Sequence, residues 1–241
     1  MKIAIIGATG KAGNEITKEA VRREHDVTGF VRNKAKLTTE IKAMEKDIFD
    51  LTTSDLEDFD VVVDAFNAAP GEENLHQTSL KRLSTILKGT NTRLIVVGGA
   101  GSLYVDPEET IRVMDTPDFP AAYLPTATNM GEAFNALQKE TDVNWTYISP
   151  AAFFNPDGAR TGEYQTALNV LTTNAAGNSE ISYADYAIAL VDEIENAKHL
   201  SNVLVSYLNK KSYHKRKISV IRIKTRMILI FLYGFLILLS I

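Results

Sequence analysis

The residues with the clearest chemical meaning are Gly7-Ala8-Thr9-Gly10-Lys11-Ala12-Gly13, which follow the apolar run Ile3-Ala4-Ile5-Ile6. A buried strand, a glycine-rich turn and a helix N-terminus, in that order, cradle a dinucleotide pyrophosphate. The unpaired N–H groups and the dipole of the helix start both favour negative charge. Gly7 permits the tight turn, Gly10 lets the backbone approach the phosphates, and Gly13 lets the helix pack close to the sheet. The competing reading is a structural strand-turn-helix corner without a ligand. A P-loop does not fit, because Lys11 is followed by Ala12 rather than Ser or Thr and the required glycine spacing is absent.

The second apolar run, Val27-Thr28-Gly29-Phe30-Val31, ends at Arg32 and Asn33. A site for NAD(H) places an acidic residue here for the ribose 2′-hydroxyl. An arginine instead offers a charge-assisted fork to a 2′-phosphate. The expected cofactor is therefore NADP(H) in preference to NAD(H); the alternative is that Arg32 only faces solvent. Asp47, Phe66 and Asn67 also sit at strand ends, where they border the adenine and ribose or act as local turn residues.

These residues need a sheet to hold them. Strand and helix signals alternate along the chain, which predicts an α/β fold with helices on both faces of a doubly wound parallel sheet. The predicted strands are 3–6, 27–31, 43–46, 61–65, 94–97 and 145–149, and their near-continuous apolar runs suit burial on both faces. Helices are predicted over 11–23, 75–87, 129–141 and 183–196. Ala12, Ile16 and Ala20 give the first its apolar stripe. Ser182 and Asp185 form a capping-box-like pair at the start of the last, with Ile181 and Tyr186 as its staple. Residues 99–128 and 150–177 read as loops leaving the carboxyl ends of strands, so they are the expected walls of a substrate pocket.

Composition narrows the function classes. The 241 residues contain no cysteine, which excludes disulfides, a thiolate nucleophile and a cysteine zinc site. His25, His76, His199 and His214 lack metal-ligand spacing, and no metal is expected. Of the 26 Lys and Arg, eight fall in residues 201–241, leaving 18 against all 30 acidic residues in the first 200. An acidic body with a basic tail does not suit nucleic-acid binding. Met1-Lys2 runs directly into the first strand, so a secretory signal is not expected and the anticipated compartment is the cytoplasm.

Seven segments, taken in order, resemble the atypical short-chain dehydrogenase/reductase superfamily. They are Gly7–Gly13, Phe30-Val31-Arg32-Asn33, Lys46–Leu51, Val96–Leu103, Trp145–Ala151, Arg160-Thr161-Gly162-Glu163-Tyr164 and Ile181–Ala187. Within it the closest likeness is to NAD(P)H-binding proteins grouped with NADH-flavin reductases and NAD-dependent epimerase/dehydratases. The resemblance covers about residues 1–200. It implies one Rossmann-like domain with a small C-terminal substrate lobe. It also implies that Gly7, Thr9, Gly10, Lys11 and Ala12 bind pyrophosphate, and that Arg32, with Asn33 beside it, holds the 2′-phosphate. Asp47 and Ile48 would flank adenine, and Ala65 and Phe66 would line the next stretch of the cofactor. Family members of the typical kind use Tyr-x-x-x-Lys for proton transfer. Here Tyr123 falls near that position, but residue 127 is Ala; Tyr207 with Lys211 and Tyr213 with Lys217 match only by spacing. Ser102 is a candidate partner for the nicotinamide or a substrate oxygen, or a turn serine.

The resulting expectation is hydride transfer from NADPH to a flavin (FMN or FAD as substrate) or to a small quinone or carbonyl acceptor. The missing lysine keeps a second reading open, a non-catalytic NADP(H)-binding redox sensor. Residues 227–241 are fifteen residues without a charge, shorter than the roughly 20 needed for a membrane span. Residues 201–241 are read either as a weak membrane anchor with a basic flank or as an aberrant, frameshifted end.

Overall fold

The computed structural model describes residues 1–200 and the backbone of residues 202–207. Its ten strands are β1 (Lys2–Ile6), β2 (Asp26–Val31), β3 (Lys42–Glu45), β4 (Val61–Asp64), β5 (Arg93–Val97), β6 (Trp145–Pro150), β7 (Phe153–Asn155), β8 (Gln165–Leu168), β9 (Glu180–Ser182) and β10 (Asn202–Tyr207). Its α-helices are α1 (Lys11–Arg22), α2 (Thr53–Leu56), α3 (Leu75–Leu87), α4 (Leu124–Leu137) and α5 (Tyr183–Asn196).

Eight strands form one sheet in the order β3-β2-β1-β4-β5-β6-β10-β8, and β7 and β9 pair separately. All the ladders of the main sheet are parallel except β10 with β8. The order reverses at β1, so the chain winds outward in both directions from it, which is the doubly wound Rossmann-like plan.

Alternation along β1 explains why its run is apolar throughout. Ile3 and Ile5 pack with Ile16, Ala20, Tyr186 and Leu190 of α1 and α5. Ala4 and Ile6 face the other way, toward Leu80, Leu83, Phe134 and Leu137 of α3 and α4. Each fully buried Ile, Leu or Phe contributes about 1.5–3 kcal/mol, so losing either helical layer would expose half of the sheet.

All six predicted strands lie within about a residue of those found; 94–97 is extended to Arg93 and 145–149 to Pro150. The fourth helix differs more. It starts at Leu124 instead of Asn129 and ends at Leu137, because Pro125 occupies its first turn, where a missing N–H costs nothing. The segment read as a loop over 150–177 contains β7 and β8, and its end is tied down by β9. The sheet also takes in β10, beyond the expected boundary at residue 200. Among the described residues no helix is long and apolar enough to cross a membrane. Of the tail read over 201–241 only residues 202–207 are described, as β10; the rest, with the spacing matches at Lys211, Tyr213 and Lys217, lies outside the described residues.

Candidate functional site

The turn after β1 is built to bring backbone, not side chains, to its surface. Gly7 has φ +77°, and a Cβ there would meet the carbonyl oxygen of Ala65 at 2.6 Å. The Gly10 N–H donates to the Gly7 oxygen at 2.9 Å, closing the turn. A Cβ on Gly13 would stand 2.2 Å from the same oxygen. Gly10 caps α1 in an extended conformation, and no side chain accepts a hydrogen bond from the first turn. Helix starts leave such N–H groups in need of an acceptor. Glycine at positions 7 and 13 thus lets the turn and the helix start close against backbone that a Cβ would strike, and the helix start presents its donors beside them. These residues fit a pyrophosphate. Thr9 and Lys11 are exposed beside the turn, while Ala12 is half-buried and Gly13 buried.

Along the adenine side, Arg32 follows β2 directly and is exposed. Asn33 next to it is already engaged: its side-chain oxygen accepts from the Ala35 N–H at 2.9 Å and starts a single 3₁₀ turn. Asp47 does the same at the end of β3, accepting from the Phe49 N–H at 3.0 Å. Both therefore act as caps in this structure, with part of each polar head left over. Ile48 is buried in the core beneath. Ala65 and Phe66, half-buried, follow β4 and face the turn across the Gly7–Ala65 approach. Asn67 is exposed next to them.

The two catalytic candidates lie on neighbouring elements. Ser102 ends the 3₁₀ turn Ala100–Ser102 after β5 and is 7% exposed. That turn packs on α4, where a Cβ on Gly101 would stand 2.9 Å from the Ala127 Cβ. Tyr123 is the N-cap residue of α4 and is exposed. Ala127, standing where a lysine would be required to lower the Tyr123 pKa, is committed to this packing.

Sequence reasoning missed a group directly below. Asp64, the last residue of β4, is buried and receives one hydrogen bond, from the Phe66 N–H at 3.1 Å. Burial pushes its carboxyl up to about 6, against that bond. His76 on α3 and Tyr147 on β6 line the same cavity, and neither the His76 Nε2 nor the Tyr147 hydroxyl finds a hydrogen-bond partner among the described residues. Burial lowers the His76 pKa and pushes Tyr147 up to about 12; Ser102 and Gly99 lie on the side that opposes the latter, without reaching normal hydrogen-bond geometry. The Tyr147 ring is held against Gly98, where a Cβ would be 2.3 Å from it. One signal was available: an acidic residue closing the otherwise apolar Val61-Val62-Val63.

The substrate-side loop is pinned from α5. Ser182 accepts from the Asp185 N–H at 3.0 Å, as expected of a cap. The Asp185 carboxylate does not return to Ser182. It takes the N–H groups of Thr161 and Gly162, both at 2.9 Å, and the Thr161 hydroxyl at 2.8 Å. Three tertiary donors outweigh the local box. A larger groove, about 500 Å³, opens by Met1, Asp60, Asn91 and Arg93 at the amino ends of the strands, away from the glycine turn. Ligands of such sheets bind at the carboxyl ends, so the groove belongs to the scaffold. Among the described residues no cluster of metal-binding side chains is found.

Comparison with known proteins agrees with this geometry. A family model described as NAD(P)H-binding matches residues 7–197. The Bacillus subtilis (strain 168) protein YwnB, itself uncharacterized, is 56% identical over 201 residues, covering 83% of this chain and 94% of that one. A crystal structure from Streptococcus pneumoniae, provisionally named an NADH-flavin reductase, matches with TM-score 0.84 and 46% identity, covering 87% of this chain and all of the other. One from Bacteroides thetaiotaomicron, provisionally named an epimerase, matches with TM-score 0.77 and 33% identity over 88% and 99% of the two chains.

Proposed function

The chain belongs to the NAD(P)H-binding family, and from that premise we propose that it is an NADPH-dependent reductase acting on a flavin or a small quinone or carbonyl compound. The observation that carries this reading is the uncapped start of α1 beside a turn closed so tightly that only glycine fits at positions 7 and 13, with Arg32 exposed at the end of the next strand. Reduced nicotinamide supplies the hydride. The chain's own residues bind and orient. The first-turn N–H groups of α1 take the pyrophosphate, and Arg32 takes the 2′-phosphate as a bidentate donor. The Gly98–Ser102 stretch and the start of α4 wall the acceptor side. A flavin takes hydride on its ring and needs no dedicated alcohol-type proton donor, so the lack of a lysine at Ala127 is no obstacle. Proximity and orientation are then the main contributions to rate.

The same Ala127 favours one second reading, a redox sensor that binds NADP(H) without turnover. The experiment is titration with NADPH and NADH followed by addition of FMN, a quinone and a carbonyl panel while nicotinamide absorbance is watched. Steady oxidation supports the reductase. Tight binding with no oxidation by any acceptor supports the sensor. Arg32→Ala weakens NADPH by about tenfold or more and leaves NADH nearly unchanged, as expected for loss of a charge-assisted fork; equal losses refute the role given to Arg32.

A further inference from the structure

Asp64 is a buried carboxylate with no cation beside it among the described residues. Folded proteins rarely keep such a group unpaired, since its desolvation is costly. Its position is informative. The end of β2, on one side of β1, is where the adenine half of a dinucleotide falls; β4, β5 and β6 lie on the other side. The two halves of a dinucleotide divide across this reversal point. The nicotinamide half therefore extends over the carboxyl ends of β4 to β6, and Asp64 terminates β4. Its cavity is lined by Phe66, Val97, Met130, His76 and Tyr147 among others. About 20 Å³ of it is open, room for roughly one water and no more. The cavity cannot hold a substrate, but a charge inside it can act on one above.

We propose that Asp64 is the fixed counter-charge for the oxidised nicotinamide ring, so that this chain separates NADP⁺ from NADPH through one buried carboxyl. Oxidised nicotinamide is cationic and reduced nicotinamide is neutral, so an ionised Asp64 favours only the former. The groups that face Asp64 cannot replace it. His76 on α3 has its pKa lowered, with Glu73 opposing; Tyr147 on β6 is neutral at ordinary pH, with Arg112 acting on it from beyond; β5 and α4 contribute apolar side chains. The inference rests on nicotinamide binding alone and is independent of the acceptor and of the NADPH preference. Asp64 is a positioning residue in this role.

The test measures affinities for NADP⁺ and NADPH from about pH 5.5 to about pH 8, with proton release by calorimetry in two buffers. The 2′-phosphate titrates in both forms and cancels in the ratio. In the unmutated chain the NADP⁺-to-NADPH affinity ratio rises about threefold across this range, the part developing above pH 5.5 of the roughly tenfold coupling of unit charges about a dozen ångströms apart at an effective dielectric of about 20. In Asp64→Asn the ratio is flat and NADPH affinity stays within about twofold. A flat ratio in the unmutated chain, or an unchanged slope in Asp64→Asn, overturns the proposal. Should Asp64→Asn not fold, the proton count decides: more protons released with NADP⁺ than with NADPH supports it, and equal release overturns it. If the chain prefers NADH, the same ratio is taken with NAD⁺ and NADH, so that failure of the Arg32 reading is told apart from failure of this one.

Discussion

Gly13→Ala is the sharpest single test of how the cofactor cradle is made. The new Cβ would lie 2.2 Å from the Gly7 oxygen, 2.9 Å from the Gly7 carbonyl carbon and 3.2 Å from the Ala8 Cα. All three are backbone atoms, so no side chain can swing aside. To reach ordinary contact the start of α1 and the turn must part by roughly 1 Å, an overpacking of the kind that costs about 1–3 kcal/mol. Alanine's helix propensity returns up to about 1 kcal/mol, leaving about 1–2 kcal/mol and a fall of roughly 2–8 °C in Tm at this size. The same displacement moves the first-turn N–H groups away from the phosphates, and NADPH affinity falls by about tenfold or more. Gly10→Ala is the contrasting case. Gly10 has φ −75°, and its Cβ would meet only the Gly7 oxygen, at 3.2 Å. That variant melts within about 2 °C of the parent, yet it loses NADPH affinity because the Cβ intrudes on the ligand side. Thermal melts and fluorescence titration of both variants give the four numbers needed. A Gly13→Ala protein with unchanged Tm and unchanged affinity would falsify the close-packing account.

Three further outcomes follow from other contacts. Asp185→Ala strands the N–H groups of Thr161 and Gly162, both bonded to it at 2.9 Å; stability in urea falls by about 2–4 kcal/mol, and a change under 1 kcal/mol would remove its role as an anchor. Arg93→Met breaks the buried pair of Arg93 with Glu193, itself held at 2.6 Å by His199, and costs about 3–5 kcal/mol, read from the same urea curves. Asp64 has a folded-state pKa raised to about 6, so its protonated form is favoured in the fold. Its destabilising effect is absent at low pH, grows as pH rises from about 4 to about 6, and is complete above that. Asp64→Asn therefore raises stability by about 2–3 kcal/mol at pH 8 relative to its effect at pH 4, and parallel pH–stability curves for the two proteins would contradict this.

Much of the scaffold was legible because β1, β2, β4 and β5 are buried on both faces and need unbroken apolar runs. The phosphate turn was legible for a similar reason: only glycine satisfies the approach at Gly7 and Gly13. Short strands were not. β7 and β9 have three residues each, and their pairing is settled by tertiary partners such as the Phe154 ring against Tyr183 and Tyr186. Asn33 and Asp47 were legible as strand-end polar residues, but a sequence does not say whether such a head turns to its own backbone or to a ligand; here both turn inward. Asp64, His76 and Tyr147 come from three separate elements, so no spacing joins them.

The place of β10 bears on how the chain is made at the ribosome. β6 and β8 are both complete by Leu168, yet they do not pair with each other, because residues 202–207 lie between them. During synthesis the growing sheet must therefore wait, with the β6 edge open and β8 without a neighbour, until α5 and then β10 have emerged. Exposed edges of this kind invite pairing with other chains. A protein cut at Leu200 would keep this unfinished edge for good. It should retain the glycine cradle at the far side of the sheet while gaining a tendency to associate, so shortening the chain trades one handling problem for another.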